Sequence, residues 1–222
     1  MTIEDSSEPA HVPGREPVAD SADRFGTPAF YAAIGRAFVA MCALVPILAV
    51  VELGDRLTGG ALLRVGGIRP RRLDGLDGIL LAPFLHASWD HLVVNSAPLI
   101  LLGTFVLAAG WRSFLLSTLV IAVVSGIGTW LLTPENTIVV GASGVIFGYL
   151  GLLLARGVVE RRLWHIGVGL LVAVLYGWQI LLIDPANTQV SWQAHLFGFA
   201  GGIIAAVLVR TRRSLPPAVA HP

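Results

Sequence analysis

Charge is scarce in this chain: only 13% of its 222 residues are Asp, Glu, Lys or Arg, about half the share of an ordinary soluble domain. A soluble fold of this length has a large surface to keep in water, so the deficit excludes a simple globule and a disordered chain alike. Lysine is absent altogether. All fifteen cations are Arg and the net charge is +1, so there is no basic excess to meet a phosphate backbone and no nucleic-acid partner is expected. Cysteine occurs once, as Cys42 in an apolar run, which excludes an internal disulfide or a cysteine metal knuckle and leaves a packing role. What fills the chain instead is apolar, 55% of residues with a mean hydropathy of +0.76. The composition points to a protein whose solvent is the lipid bilayer.

A membrane-spanning helix needs about 20 mostly apolar residues to cross about 30 Å of hydrocarbon. Runs free of formal charge occupy 91–111, 113–134, 136–155, 163–183 and 185–209. A shorter run, 37–51, is bounded by Arg36 and Glu52, which can extend it by reaching toward the headgroups. The expected architecture is all-α with six spans, at about 33–53, 90–110, 112–132, 141–156, 163–183 and 193–210. Turn chemistry separates them at Gly110-Trp111-Arg112, Thr133-Pro134-Glu135-Asn136, Arg161-Arg162 and Asp184-Pro185-Ala186-Asn187.

Residues 1–30 read as a flexible tail, acidic and broken by Pro9, Pro13 and Pro17, without the cationic start and apolar middle of a signal peptide. Residues 31–210 form the spanning domain and 211–222 a second short tail. Arg24, Arg36, Arg112, Arg156, Arg161, Arg162, Arg210, Arg212 and Arg213 all fall on one side of the membrane, whereas the loops 133–140 and 184–192 contain no Arg. The positive-inside rule then places both termini in the cytoplasm. Arg56, Arg64, Arg69, Arg71 and Arg72 in the long loop 54–88 run against it. That loop exceeds an ordinary connector, and its apolar stretch 78–85 reads as an interfacial or partly embedded segment.

Polar residues inside spans are costly and default to functional candidates. Hydroxyls are the exception, since they usually bond the backbone one turn back; Ser96, Ser113, Ser117, Thr118 and Ser125 take that reading. His165, beside Arg161 and Arg162, reads as interfacial, and Gln179 remains without a role. His91 and Asn95 lie near the start of the second span, Ser143 near the start of the fourth and His195 near the start of the sixth. With the N-terminus inside, all three spans enter from the outer face, so these residues share a depth. A serine and a histidine meeting there make a nucleophile and its general base.

Gly141-Ala142-Ser143-Gly144 leaves the hydroxyl uncrowded at a helix start, where free backbone N–H groups favour a developing anion. The fourth span carries Gly144 and Gly148, and Gly198 and Gly202 follow His195 on its own face. Such small faces let helices approach closely in lipid. Phe147, one turn after Ser143, is placed to stack on the imidazole. His91 and Asn95, four apart, share a face and suit an oxyanion as side-chain donors, whereas His86 would be turned about 140° from His91 in a continuous helix. Asp90 points elsewhere and complements the helix dipole. The rival is a metal site on His86, His91 and His195, but no carboxylate stands at ligand spacing and no His-Glu-x-x-His occurs. No metal or other cofactor is expected.

Together, His86-x4-His91-x3-Asn95, Gly141-x-Ser143-Gly144 and Ala194-His195-x2-Gly198-x3-Gly202 resemble the rhomboid intramembrane serine proteases in their six-span bacterial form, over about residues 33–210. The resemblance implies hydrolysis of peptide bonds in or beside the transmembrane segment of single-span substrates. It implies Ser143 as nucleophile, His195 as general base and then acid, and an oxyanion hole of His91, Asn95 and the Ser143 N–H. It further implies that Gly141 lines that hole and that Phe147, often Tyr in the family, packs on His195. His86 takes a supporting role at water, and the fifth span and following loop act as a substrate gate. Two departures stand out: the first loop lacks the family's Trp-Arg pair, and Trp192 replaces a small or polar residue. The different-class alternative is a catalytically idle chaperone or trafficking factor on the same scaffold. The partners implied are the bilayer and transmembrane proteins.

Overall fold

A computed structural model of the chain describes residues 25–160, 163–184 and 191–209. The tail sequence 1–24, the Arg161-Arg162 turn, residues 185–190 and the 210–222 segment lie outside that description, as does the side chain of Gln179. Among the described residues the fold is all-helical. Its helices are α1 (Pro28–Leu57), α2 (Ala61–Gly66), α3 (Gly78–Leu81), α4 (Trp89–Ala108), α5 (Trp111–Leu132), α6 (Ser143–Glu160), α7 (Leu163–Tyr176) and α8 (Trp192–Leu208).

Local chemistry sets the starts. Thr27 caps α1 by accepting the Phe30 N–H at 3.1 Å, with Pro28 in the first turn where its missing N–H costs nothing. Ser88 caps α4 through the His91 N–H at 3.1 Å, and Ser191 caps α8 through the Ala194 N–H at 3.3 Å. Helices α1, α4, α5 and α6 are each long and apolar enough to cross a membrane, while α7 and α8 are shorter apolar helices of 14 and 17 residues. A tighter 3₁₀ stretch, Gly177–Leu182, carries the chain on beyond α7. The fourth expected span is displaced: α6 starts at Ser143, not 141, and continues to Glu160. Gly141 is the reason, because its φ of +122° is incompatible with a helix.

Helix α6 is the axis of the bundle. Two-thirds of its membrane-length window is buried, against under a quarter of α1's, and Tyr149, Leu150 and Leu152 are wholly enclosed. Helices α4, α5, α7 and α8 pack around it, and α1 lies outside against α4.

The long first loop is neither extended nor simply solvated. It folds into α2, α3 and two 3₁₀ turns, buries Ile68, Ala82 and Leu85, and leaves Leu80, Leu81 and Phe84 outward. Ile68 and Val139 exchange backbone hydrogen bonds of 2.9 and 3.0 Å, and the Gly141 N–H donates to the Ala82 carbonyl at 2.9 Å. Arg71, at φ +56°, sends its N–H to the Trp130 carbonyl at 3.0 Å, and its guanidinium to the Leu131 carbonyl and the Glu135 carboxylate. In return the Trp130 indole donates to the Arg72 carbonyl at 2.9 Å. The loop thus clamps the end of α5 and the segment entering α6.

Several polar residues differ from expectation. Glu52 does not reach toward headgroups; it is 1% exposed within α1. His165 is buried within the protein and pairs with Glu160 at 3.2 Å, while Arg156, also buried, donates to Ser113 at 2.7 Å. Ser125 does not bond its own helix: its hydroxyl crosses to the Ala194 carbonyl of α8 at 2.9 Å. Ser96 and Thr118 do bond back one turn, to Leu92 and Phe114. A buried polar group in an apolar surrounding takes whichever acceptor the packing supplies, and only tertiary structure decides which.

Candidate active site

The first turns of α4, α6 and α8 converge on a cavity of about 810 Å³, lined among others by His91, Asn95, Ser143 and His195. Each arrives there for a local reason. Ser143 opens α6 because Gly141 interrupts the backbone immediately before it, and its side chain is half-buried at the cavity wall. The N–H groups of Ser143, Gly144 and Val145 lie ahead of the first helical bond, from Ile146 to the Ala142 carbonyl at 3.0 Å, and N–H groups so placed make a helix start a ready acceptor of negative charge.

His195 is carried in by glycine. A methyl group on Gly198 would lie 2.9 Å from the Gly144 carbonyl carbon and closer still to its oxygen; one on Gly202 would meet the Leu152 nitrogen at 2.6 Å. Backbone therefore packs directly on backbone between α6 and α8, as small-residue faces permit. The Ser125 hydroxyl bond to Ala194 fixes the same turn of α8 from the α5 side. Phe147 lies against the His195 imidazole, ring centres 4.1 Å apart and planes 7° from parallel, and His195 is only 3% exposed. Both Phe147 and Ser143 belong to α6, one turn apart.

The α4 side is organised differently. His91 and Asn95 both reach the cavity from one helical face, and a methyl on Gly141 would strike the His91 ring at 2.6 Å from Cε1. The imidazole of His91 thus rests on the peptide that enters Ser143. Asn95 is buried, and its amide nitrogen has no acceptor among the described residues. His86 is not on this helix, because Ser88 starts α4 after it. The continuous-helix geometry that would turn it away does not apply, and its ring meets His91 edge-to-face at 5.3 Å. Burial, and then the neighbouring His91, push the His86 pKa down to about 4, so this imidazole is neutral at pH 7. Asp90 is exposed, on the other side of α4.

Among the described residues no three His, Cys, Asp or Glu side chains are grouped to hold a metal ion. Trp192 and Trp178 both border the cavity. Three contributors escaped the sequence reading: Ser125, Ala82 through its carbonyl, and Gln193, buried beside the histidine and donating to the Leu132 carbonyl at 3.3 Å. None has a sequence signal, since each works through a hydrogen bond to a backbone carbonyl that joins two separate elements.

The fold and cavity define a multi-pass helical membrane protein with a polar site at one end of an apolar bundle. The profile described as Rhomboid domain matches residues 75–212, and the chain belongs to the rhomboid family. An uncharacterized protein of Mycobacterium tuberculosis is 43% identical over 173 residues, 74% of this chain and 72% of that protein. The rhomboid protease GluP of Bacillus subtilis is 32% identical over 135 residues, 57% of this chain and 25% of GluP. A chloroplastic rhomboid-like protein 11 of Arabidopsis thaliana is 37% identical over 84 residues, 37% of this chain and 29% of its own length.

Proposed function

We propose that this chain is an intramembrane serine endopeptidase with six spans, α7 and α8 counting as the fifth and sixth, that cleaves single-span membrane proteins in or near their transmembrane segments. The observation that carries this reading is the shared cavity: Ser143 at a helix start and His195 held by Phe147 border the same space. In the proposed reaction the imidazole of His195 takes the proton from the Ser143 hydroxyl as its oxygen bonds to the scissile carbonyl carbon. The carbonyl oxygen becomes an anion received by the Ser143 N–H, His91 and Asn95. Collapse breaks the C–N bond, and the imidazolium returns its proton to the leaving amine. Water, deprotonated by the same imidazole, then releases the acyl group from Ser143.

A peptide carbonyl inside an intact helix is bonded four residues on and ringed by side chains, so the scissile segment must unwind to meet Ser143. The preferred substrates are therefore helices that unwind readily. The topology proposed has both termini cytoplasmic and the site toward the outer face of a bacterial plasma membrane.

The test is cleavage of a single-span substrate by purified protein in liposomes, without added metal or ATP. Ser143→Ala abolishes it, and a fluorophosphonate labels the wild type but not His195→Ala. Full cleavage by Ser143→Ala refutes the assignment. A wild type that neither cleaves nor takes the label returns the idle-scaffold alternative.

A further inference from the structure

One buried carboxylate has no part in the chemistry above. Glu52, near the end of α1, is 1% exposed on a helix built to face lipid and apolar side chains. Burying a charge there costs several kcal/mol unless it is paired. One of its oxygens, Oε1, accepts the Arg56 Nε–H at 2.9 Å, one turn on. Arg56 does not stop at that pair: its Nη2 donates to the Ala87 carbonyl at 3.2 Å.

Ala87 is the centre of the turn 85–88 that leads into α4. On one side of it lies His86, buried with its ring edge against His91; on the other lies Ser88, whose hydroxyl accepts the His91 N–H at 3.1 Å. The guanidinium therefore grips the backbone that sets the rotation of the first turn of α4. That rotation decides where His91 points and, one turn later, Asn95. The second oxygen of Glu52, Oε2, is buried and takes no donor among the described residues, so the carboxylate is poorly arranged as a device for stability alone. Ion pairs kept only for stability are replaced by apolar residues at little cost.

We infer that Glu52 is a positioning residue for the oxyanion side of the site: through Arg56 it holds the 85–88 turn, and with it His91 and Asn95 against Ser143. The inference rests on the serine-protease reading and adds to it a residue from α1, outside the helices α4, α6 and α8 that carry the proposed site residues.

The test compares Glu52→Gln, Arg56→Gln and the double variant in the full chain in liposomes. It measures kcat and KM for a single-span substrate, and hydrogen exchange of the backbone amides at 86–91. Each single variant lowers kcat by about tenfold, as expected for slight displacement of an oxyanion donor, with KM unchanged within about twofold. The double variant is no slower than the worse single one, because both act along one path. Exchange at 86–91 accelerates while α6 and α8 keep their protection.

Wild-type kcat in Glu52→Gln, additive losses in the double variant, unchanged exchange at 86–91, or a uniform acceleration over the whole chain each overturn the inference. If the wild type itself neither cleaves nor labels, the protease reading fails. The exchange at 86–91 then still decides whether Glu52 and Arg56 hold the turn.

Discussion

Replacing Gly198 by Ala tests the backbone contact between α6 and α8 beside the cavity that Ser143 and His195 both line. The added methyl lies 2.9 Å from the Gly144 carbonyl carbon and 3.2 Å from its Cα, where ordinary contact begins at 3.4 Å. Its neighbours are backbone, not the free end of a side chain, so they cannot turn aside. Helices α6 and α8 must part by at least 0.5 Å at this level, and His195 lies one turn from the wedge, Ser143 beside it. Overpacking of this kind costs about 1–3 kcal/mol of stability, and a shift near 1 Å between reacting groups costs about 10²-fold in rate. The expected result is a cleavage rate lowered by about 10- to 100-fold with a smaller loss of stability in detergent unfolding. Gly35→Ala serves as the control, since a methyl at Gly35 meets nothing within 4 Å and helix propensity alone favours it by about 0.8–1 kcal/mol. Wild-type rate and stability in Gly198→Ala refute the packing argument.

Three further outcomes follow from the site's geometry. Gly141→Ala forces a side chain into φ +122° and against the His91 ring, so cleavage falls at least as far as in Gly198→Ala, at a strain of about 1–3 kcal/mol; an active Gly141→Ala places His91 elsewhere. Phe147→Ala removes a stacked contact worth about 0.5–1.5 kcal/mol and lowers kcat by about 3- to 10-fold, whereas Phe147→Tyr preserves the plane and retains activity; equal rates in the two variants count against stacking. Because the His86 pKa is pushed from 6.5 down to about 4, the unfolded chain binds in that window a proton that the folded chain refuses. Stability is therefore level above pH 6.5 and declines as pH falls toward about 4; His86→Gln flattens the slope of unfolding midpoint against pH, and an unchanged slope assigns it to another group.

How far the sequence could be read depended on whether a residue acts locally or at a distance. Helix starts at Thr27, Ser88 and Ser191 rest on a hydroxyl three residues ahead of the amide it accepts, a pattern visible in the chain itself. The glycine pairs on α6 and α8 were legible for the same reason, spacing on a single helix. Ser125 was not, because nothing in its neighbours says that Ala194 will present a carbonyl 69 residues away. His86 misled in the opposite sense: spacing to His91 assumes one helix, and the Ser88 cap places a turn between them. Glu52 and Arg56 show the four-residue interval of an ion pair, but not the Ala87 carbonyl beyond it.

The sequence by itself determined that this chain lives in lipid, since 13% charge cannot clothe a soluble surface of 222 residues. It also determined the family and the few polar residues worth following, because a membrane interior tolerates so few that each one stands out. Tertiary structure alone decided that the first loop folds back to clamp the segment entering α6, that glycine backbones meet between α6 and α8, and that Arg56 of α1, paired with the buried Glu52, reaches the Ala87 carbonyl ahead of α4. Those are contacts between elements distant in the chain. Their energies depend on carbonyls and clearances that no single helix specifies until its neighbours are in place.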